Sequence, residues 1–543
     1  MHDKKLPRAP TRLALGTTLA LFATLASAQD AQPSTAMAPP GAVPQPSPAR
    51  VTLNEYIVRG NTVLDGRAIE NAVTPHLGPG RTMDDIEAAR AALQAAYQSH
   101  GYQSVHVELP DQQVSDGIVL LLVTEAKVGT VTVAGARHHD PERLRARVPA
   151  LSEGNVPDFN QAQQQLTALN QTSKRQVVPL VKPGADAGTM DIELKVDDAS
   201  PWRFSASVNN DHSADTTALR TVVSVGHDNL WQREHSASLT LFAAPEDMDE
   251  AKVWSASYTM PLATSGWSLE FNGLTSDSNV LTGGNTNVTG RGDALGARLV
   301  RTLPMTGAWW HQLSVGVTFN DREEQVGMLE QAVQYVPLKY APVTLAYSGF
   351  RQGEKHQLST GLQMVFGTRS LLGYGSDAAE FDWARYRADP SFVLLKADLG
   401  DTMTFGGGAQ LAARLSAQVT DTPLVSGEQF AAGGMYTVRG YRSAEAIGDY
   451  GALASLEWRT RPISLFGLLD WRAYAYLDAA WLRLRDPLPE QEDEFSLGSV
   501  GLGTSFRLTE RVNFRFDYGY PLLDGPTTTE GAHRLHFSVG TSF

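Results

Sequence analysis

The chain is expected to fold as two small α+β modules, each of strand–helix–helix–strand–strand (βααββ) order, followed by a 16-stranded antiparallel transmembrane β-barrel. Three observations carry that expectation. From Pro201 to Phe543, apolar and polar residues alternate in segments of about 9–14 residues, near the length a tilted membrane strand needs. The connections between these segments are short and long in turn. Ahead of them, between Val51 and Val196, the same order of strand and helix signals occurs twice.

At 543 residues the chain has room for several domains. Its net charge of −14 argues against a nucleic-acid binder, which would carry a basic patch or stripe. With no cysteine, disulfides and thiolate metal sites are excluded. After the first residues, no apolar run reaches the ~20 residues of a membrane-spanning helix. Hydropathy alone would class the chain as soluble, but barrels escape that test because only alternate residues face lipid.

Lys4, Lys5, Arg8 and Arg12 form a basic start, and Leu13 to Leu25 is apolar but too short to span. Ala26-Ser27-Ala28 completes a secretory signal peptide, residues 1–28, cut after Ala28. Residues 29–50 contain Pro39, Pro40, Pro44, Pro46 and Pro48 and read as an extended linker. Those prolines forbid a long helix, so no helical plug for the barrel is expected there.

The first module takes residues 51–126. Thr52 to Val58 is strand-like, and Asp65 caps a short helix through Val73. Thr82 with Asp85 opens a second helix, whose Ile86, Ala89, Leu93 and Ala96 keep a helical period until Gly101. Tyr102 to Leu109 and Ile118 to Thr124 are strands. The second module, residues 127–198, repeats the order. Gly129 to Val133 is a strand, Asp140-Pro141-Glu142 starts a helix, and Phe159 to Leu169 is the next. Gln176 to Val181 and Met190 to Val196 are strands around Pro183-Gly184. His138-His139-Asp140 reads as two loop histidines and a helix cap rather than a metal site. No metal and no cofactor is expected.

The barrel takes residues 199–543. In Ala409 to Thr420, Leu411, Leu415 and Val419 fall on one face and Gln410, Arg414, Ser416 and Gln418 on the other. In Asp470 to Trp481, the two tryptophans Trp471 and Trp481 share a face. At ~3.3 Å per residue and a tilt of about 40°, they lie roughly 25 Å apart, the height of the apolar band between aromatic girdles. Six short connections are visible, from Trp231–Glu234 to Leu508–Arg511, against five long ones. The long stretch Asp421 to Asp449 follows strand 11 and is the sixth outer loop. It holds Gly433-Gly434 and Val438-Arg439-Gly440-Tyr441, glycine-rich irregular backbone. By parity, Asp478 shares a face with Asp470, Arg472, Tyr474 and Tyr476, opposite the tryptophans, and points into the lumen. An arginine inside a barrel needs a carboxylate partner.

The two modules resemble POTRA domains, the periplasmic modules of outer-membrane assembly and translocation barrels, in the Gln113…Gly117…Glu125 and Pro183-Gly184…Gly188 stretches. Val438-Arg439-Gly440-Tyr441 matches the tetrad shared by BamA-like insertases and TpsB transporters of two-partner secretion. Gly433-Gly434 and Gly448-Asp449-Tyr450-Gly451 look more like TpsB. Everything after Arg50 thus resembles the TpsB family, the haemolysin secretion/activation type. The resemblance implies that the loop folds into the lumen and that Arg439 is latched to Asp478, supported by Gly433, Gly434, Gly448 and Asp449. It further implies that the alternating end, Leu535, Phe537, Val539 and Phe543, is a signal read by the barrel-assembly machinery.

For function, the resemblance implies a monomeric pore in the outer membrane of a Gram-negative bacterium, with its POTRA domains in the periplasm. Its partners would be outer-membrane lipid and a secreted TpsA-type client, haemolysin- or adhesin-like, that the POTRA domains recognise unfolded. Transport would need no ATP, and no nucleic acid and no catalysis are implied. A BamA- or TamA-like assembly factor is the alternative. A porin lacks such modules, and a hydrolase would show a nucleophile motif, which the sequence lacks.

Overall fold

The computed structural model describes residues 50–170, 175–214, 216–262, 266–278, 291–326, 334–509 and 511–543. The expected signal peptide, nearly all of the linker and the question of a helical plug lie outside the described residues.

In the first module Asp65 caps the helix Gly66–Val73, accepting from Ala68 N at 2.6 Å. Asp85 accepts from Thr82 N at 2.8 Å at the start of Met83–Ser99. That helix buries Ile86, Ala89, Leu93 and Tyr97 against Val105, Val107, Val119 and Leu121 of the sheet. Strand Ile118–Glu125 lies parallel to Glu55–Arg59 and antiparallel to Val105–Glu108. A short strand, Gly78–Arg81, pairs with Val51–Leu53. Gly78, expected with Pro75 to stop the preceding helix, opens this strand.

The second module centres on Thr189–Asp198, parallel to Lys127–Ala134 and antiparallel to Arg175–Pro183. Arg175–Pro183 is an edge strand, with Val178, Leu180 and Val181 exposed. Asp140 caps Pro141–Ala146, as its position before Pro141 dictates. His139 Nδ1 contacts Asp198 at 3.0 Å. Among the described residues no cluster of three or more metal-ligating side chains occurs.

The barrel strands, numbered by themselves, are β1 (Trp202–Asn209), β2 (Arg220–Leu230), β3 (His235–Ala243), β4 (Ala251–Pro261), β5 (Trp267–Ser278) and β6 (Arg291–Thr302). Next come β7 (Trp309–Val326), β8 (Gln334–Tyr340 with Val343–Gln352), β9 (His356–Phe366), β10 (Val393–Thr404) and β11 (Gln410–Thr420). The last are β12 (Tyr450–Arg459 with Ile463–Leu465), β13 (Leu469–Arg483), β14 (Glu494–Leu508), β15 (Val512–Pro521) and β16 (Arg534–Ser542). They form one closed antiparallel barrel in which β16 returns to β1. Closure satisfies every strand edge, which lipid demands. β8 is interrupted at Pro342, which has no N–H to donate. β12 slips by one residue where Pro462 interrupts it.

The period-two faces are realised. On β13 Asp470, Arg472, Tyr474, Tyr476 and Asp478 line the lumen, and Leu477 and Trp481 are exposed outward. One short turn, at 466–468, the loops at 244–250 and 522–533, and the described residues of 210–219 extend the expected set. The turn carries Phe466 and Leu468, so no polar signal marks it. The loop after β9 folds a helix, Ala378–Ala384, started by an Asp377/Glu380 capping box.

The second module is mounted on the barrel. Only residues 199–201 separate its last strand from β1. The turn between β2 and β3 docks against its helix Pro141–Ala146. Arg143 Nη1 donates to the carbonyls of Trp231 (2.9 Å) and Gln232 (3.0 Å), and Asp140 N donates to Gln232 Oε1 (3.0 Å). Glu234 pairs with Arg147 at 2.6 Å and with the buried Arg175. Trp231, Gln232 and Glu234 all have φ near +60° (60°, 55° and 60°), a region that non-glycine residues avoid. The docking contacts hold that strained turn. Burial alone would raise the Glu234 carboxyl, but Arg175 and Arg147 hold it below its usual value.

Exchange of Glu234 for Gln is therefore expected to make residues 199–201 more cleavable in limited proteolysis, while the barrel stays folded. Because the folded-state value is depressed, the Glu234 contribution is full above the ordinary carboxylate value of ~4.3 and fades as pH falls through the lower folded value. The wild-type joint should loosen in that acid window. Identical cleavage of variant and wild type at neutral pH would remove Glu234 from the joint.

Candidate functional site

The loop between β11 and β12 returns into the lumen on a short hairpin, Phe430–Ala432 paired with Ala446–Gly448. Gly433 (φ +112°) and Gly434 (φ +99°) turn the chain where side chains are disfavoured. Thr437 Oγ1 holds the turn, accepting from Gly433 N at 2.8 Å. Val438 and Tyr441 are fully buried with Ala432, Ala446, Leu453, Leu482 and Leu497. The Tyr441 hydroxyl donates toward the carbonyls of Gly498 (3.0 Å) and Leu523 (2.7 Å). Gly440 rests on Gly519 of β15 so closely that a Cβ on Gly519 would lie 2.6 Å from Gly440 Cα.

Between these anchors Arg439 enters a cluster of three carboxylates. Its Nε and Nη2 make a fork to Asp478 of β13, at 2.7 and 2.8 Å, and its backbone N reaches the same carboxylate at 3.2 Å. Nη1 donates to Glu457 of β12 at 2.5 Å and to Asp517 of β15 at 3.3 Å. The guanidinium lies over the Tyr476 ring, 3.4 Å from its centroid. Ser455 Oγ donates to Asp478 at 2.6 Å. Arg459 pairs with Glu457 and Arg515 with Asp517, each at 2.7 Å. Three guanidinium groups thus face three carboxylates. A planar, five-donor cation meets several carboxylates at fixed angles, which an ammonium would not. Arg414 of β11 donates to the Tyr436 carbonyl.

Asp449 is buried at the loop's neck, where it accepts from Leu424 N (3.0 Å), Gln429 Nε2 (2.9 Å) and Arg485 N (2.7 Å). Gly448 packs on β13, where a Cβ would lie 2.8 Å from Arg483 N. Leu535, Phe537 and Val539 alternate with the inward His536 and Ser538 on β16. Phe543, just past the strand, donates its N to Phe204 O at 2.9 Å.

Sequence reasoning singled out Asp478 and missed Glu457, Asp517 and Glu445. The signal for the first two was available, since parity puts Glu457 with Arg459 and Asp517 with Arg515 on lumen faces. Nothing local marks Glu445, which accepts from Thr527 N at 2.6 Å and Thr528 N at 2.7 Å across the loop after β15. Beside the cluster lies a cavity of about 360 Å³, lined by Arg414, Tyr436, Arg439, Glu457, Arg459 and Arg515 among others.

A family model described as haemolysin secretion/activation protein ShlB/FhaC/HecB matches residues 188–506. The chain belongs to that family. A ShlB-type POTRA domain model matches residues 51–126. The outer membrane transporter CdiB of Dickeya dadantii (strain 3937) is 22% identical over 526 residues, covering 91% of this chain and 86% of that protein. CdiB from Escherichia coli superposes with a TM-score of 0.63 at 18% identity, over 93% of this chain and 92% of that one. BamA from Haemophilus ducreyi lacking POTRA domains 1-3 gives 0.54 at 15% identity, over 91% and 100%. At these identities the structural likeness shows the shared fold alone. As a TpsB-type transporter of the ShlB/FhaC/HecB family, the chain sits in the outer membrane with its POTRA domains in the periplasm. The short turns are therefore periplasmic and the long loops external.

Losing one partner of a buried ion pair costs about 3–5 kcal/mol, because the other charge stays buried. Asp478→Asn, which breaks the fork to Arg439, is expected to lower the temperature at which the folded barrel loses its compact electrophoretic mobility. Glu457→Gln should lower it less, because Arg439 keeps Asp478 and Asp517. The opposite order would assign the main anchor to Glu457.

Proposed function

We propose that this transporter secretes an unfolded client protein, of the TpsA type, across the outer membrane without ATP. The loop carrying Arg439 is then both latch and gate, and the client passes when that loop moves. The observation that carries this reading is the single guanidinium, on a loop, shared by carboxylates of three barrel strands. Such a contact is strong enough to hold the loop and confined enough to be released without unstitching any strand ladder. The sequence contains no glycine-rich phosphate loop, and folding of the client outside supplies the driving force.

Client capture is assigned to the POTRA domains. In the second, helix Phe159–Leu169 and edge strand Arg175–Pro183 flank a groove of about 250 Å³ lined by Phe159, Leu166, Pro179, Val181 and Ile192. An extended apolar chain fits such a groove by adding a strand to the open edge. The end of β16, with Leu535, Phe537, Val539 and Phe543, is assigned to recognition by the barrel-assembly machinery during biogenesis.

The test is co-expression with a cognate client. Asp478→Ala is expected to reduce secreted client several-fold while the amount of folded barrel in the outer membrane falls less. Equal loss of both would make the arginine cluster a folding element only. Loss of other outer-membrane barrels, with secretion intact, would favour an assembly factor instead.

A further inference from the structure

The closing seam of the barrel is its shortest ladder. Five residue pairs join β16 to β1, from Ser538 with Asn209 to Ser542 with Ser205. By comparison, β1 with β2 and β15 with β16 each align eight. Past Asn209 the chain leaves the strand, and the Asn210 side chain takes over. Its Nδ2 donates to Leu535 O at 2.8 Å, and its Oδ1 accepts from Phe537 N at 2.8 Å. Its backbone N donates to Phe537 O at 3.3 Å. A primary amide offers the same donor and acceptor as a peptide unit, so Asn210 prolongs the ladder with a side chain.

The next two residues connect this seam to the lumenal loop. Asp211 is buried, and its Oδ1 accepts from Met435 N at 2.9 Å. His212 O accepts from Ser443 N at 3.0 Å. On the other side of the seam, His536 Nε2 of β16 accepts from Gly440 N at 3.2 Å. A Cβ on Gly434 would lie 2.6 Å from Asp211 Oδ1, so the loop backbone lies directly on this junction. The loop therefore straddles the seam, bonded to the extension of β1 and to β16 at once. When it withdraws, both sides lose those bonds together. What remains is the five ladder pairs, the bonds between Phe204 and Phe543 just beyond them (2.9 and 3.3 Å), and Asn210.

We propose that Asn210 is a positioning residue for transport: its amide clasps β1 to β16 and keeps the barrel closed to lipid while the loop is away. Asp211 and His212 receive the loop on its return. This rests on the reading of the loop as a mobile gate, but the clasp can be measured without any client.

In the purified full-length protein, Asn210→Ala is expected to raise amide hydrogen exchange at residues 535–538 by roughly thirtyfold, the effect of losing two hydrogen bonds of ordinary net strength. Asn210→Asp, which keeps the acceptor and loses the donor, should fall between. Releasing the loop with Asp478→Ala should raise exchange at the seam far more in the Asn210→Ala background than in the wild type. The chain has no cysteine, so Ala206→Cys with Thr541→Cys, directly opposed across the seam, gives one defined disulfide. Oxidised, that disulfide should leave wild-type secretion intact and restore secretion to Asn210→Ala. The clasp is overturned by wild-type exchange in Asn210→Ala, by a secretion defect that the disulfide does not repair, or by a disulfide that blocks wild-type secretion. If the wild type secretes no client, the secretion reading fails and the exchange series alone still decides the clasp.

Discussion

A guanidinium cannot be left uncompensated in a protein interior, and the geometry around Arg439 follows from that constraint. Burial removes its water, so its donors must be met by fixed acceptors. Asp478 supplies a two-pronged acceptor, and Glu457 and Asp517 supply the rest. Three carboxylates around one cation would repel each other, and Arg459 and Arg515 balance them. The glycines follow from the same constraint. Arg439 reaches the wall only if the loop backbone lies against it, and bare backbone at Gly434, Gly440 and Gly519 permits that approach.

This division of labour separates the barrel from its occupant. Sixteen strands joined edge to edge hold the wall through ladders that do not involve the loop. The loop is held by charge-assisted bonds, by the buried Val438 and Tyr441, and by a few backbone bonds at the seam. In the proposed mechanism the two sets are broken independently, so a chain can pass without the barrel opening. The strained turn at Trp231 to Glu234 plays the matching part below. It ties the second POTRA domain to the periplasmic turn of the barrel by contacts beyond the three linking residues.

Much of this is legible in the sequence because parity is a hard constraint in a barrel. A residue on β13 must face lipid or lumen, so the alternation of that strand alone turns Asp478 inward. The same rule applied to β12 and β15 turns Glu457 and Asp517 inward as well. The turn at Phe466 is marked only by the single Gly467 (φ +69°) between two apolar residues, with no polar residue to reinforce it. The helix Ala378–Ala384 is marked by its capping box but hidden inside a long loop. Contacts such as Asp211 with Met435, or Glu445 with Thr527 and Thr528, join residues far apart in the chain and of ordinary local character. No spacing rule reveals them.

The central claim is that the lumenal loop must leave its seat for a client to pass. A reversible tether tests it most directly. His212→Cys with Ser443→Cys places one disulfide where the backbone of the loop already bonds the extension of β1. Client secretion should stop when that disulfide forms and resume when it is reduced, with the amount of folded barrel unchanged throughout. Secretion that continues through an oxidised tether would contradict the account.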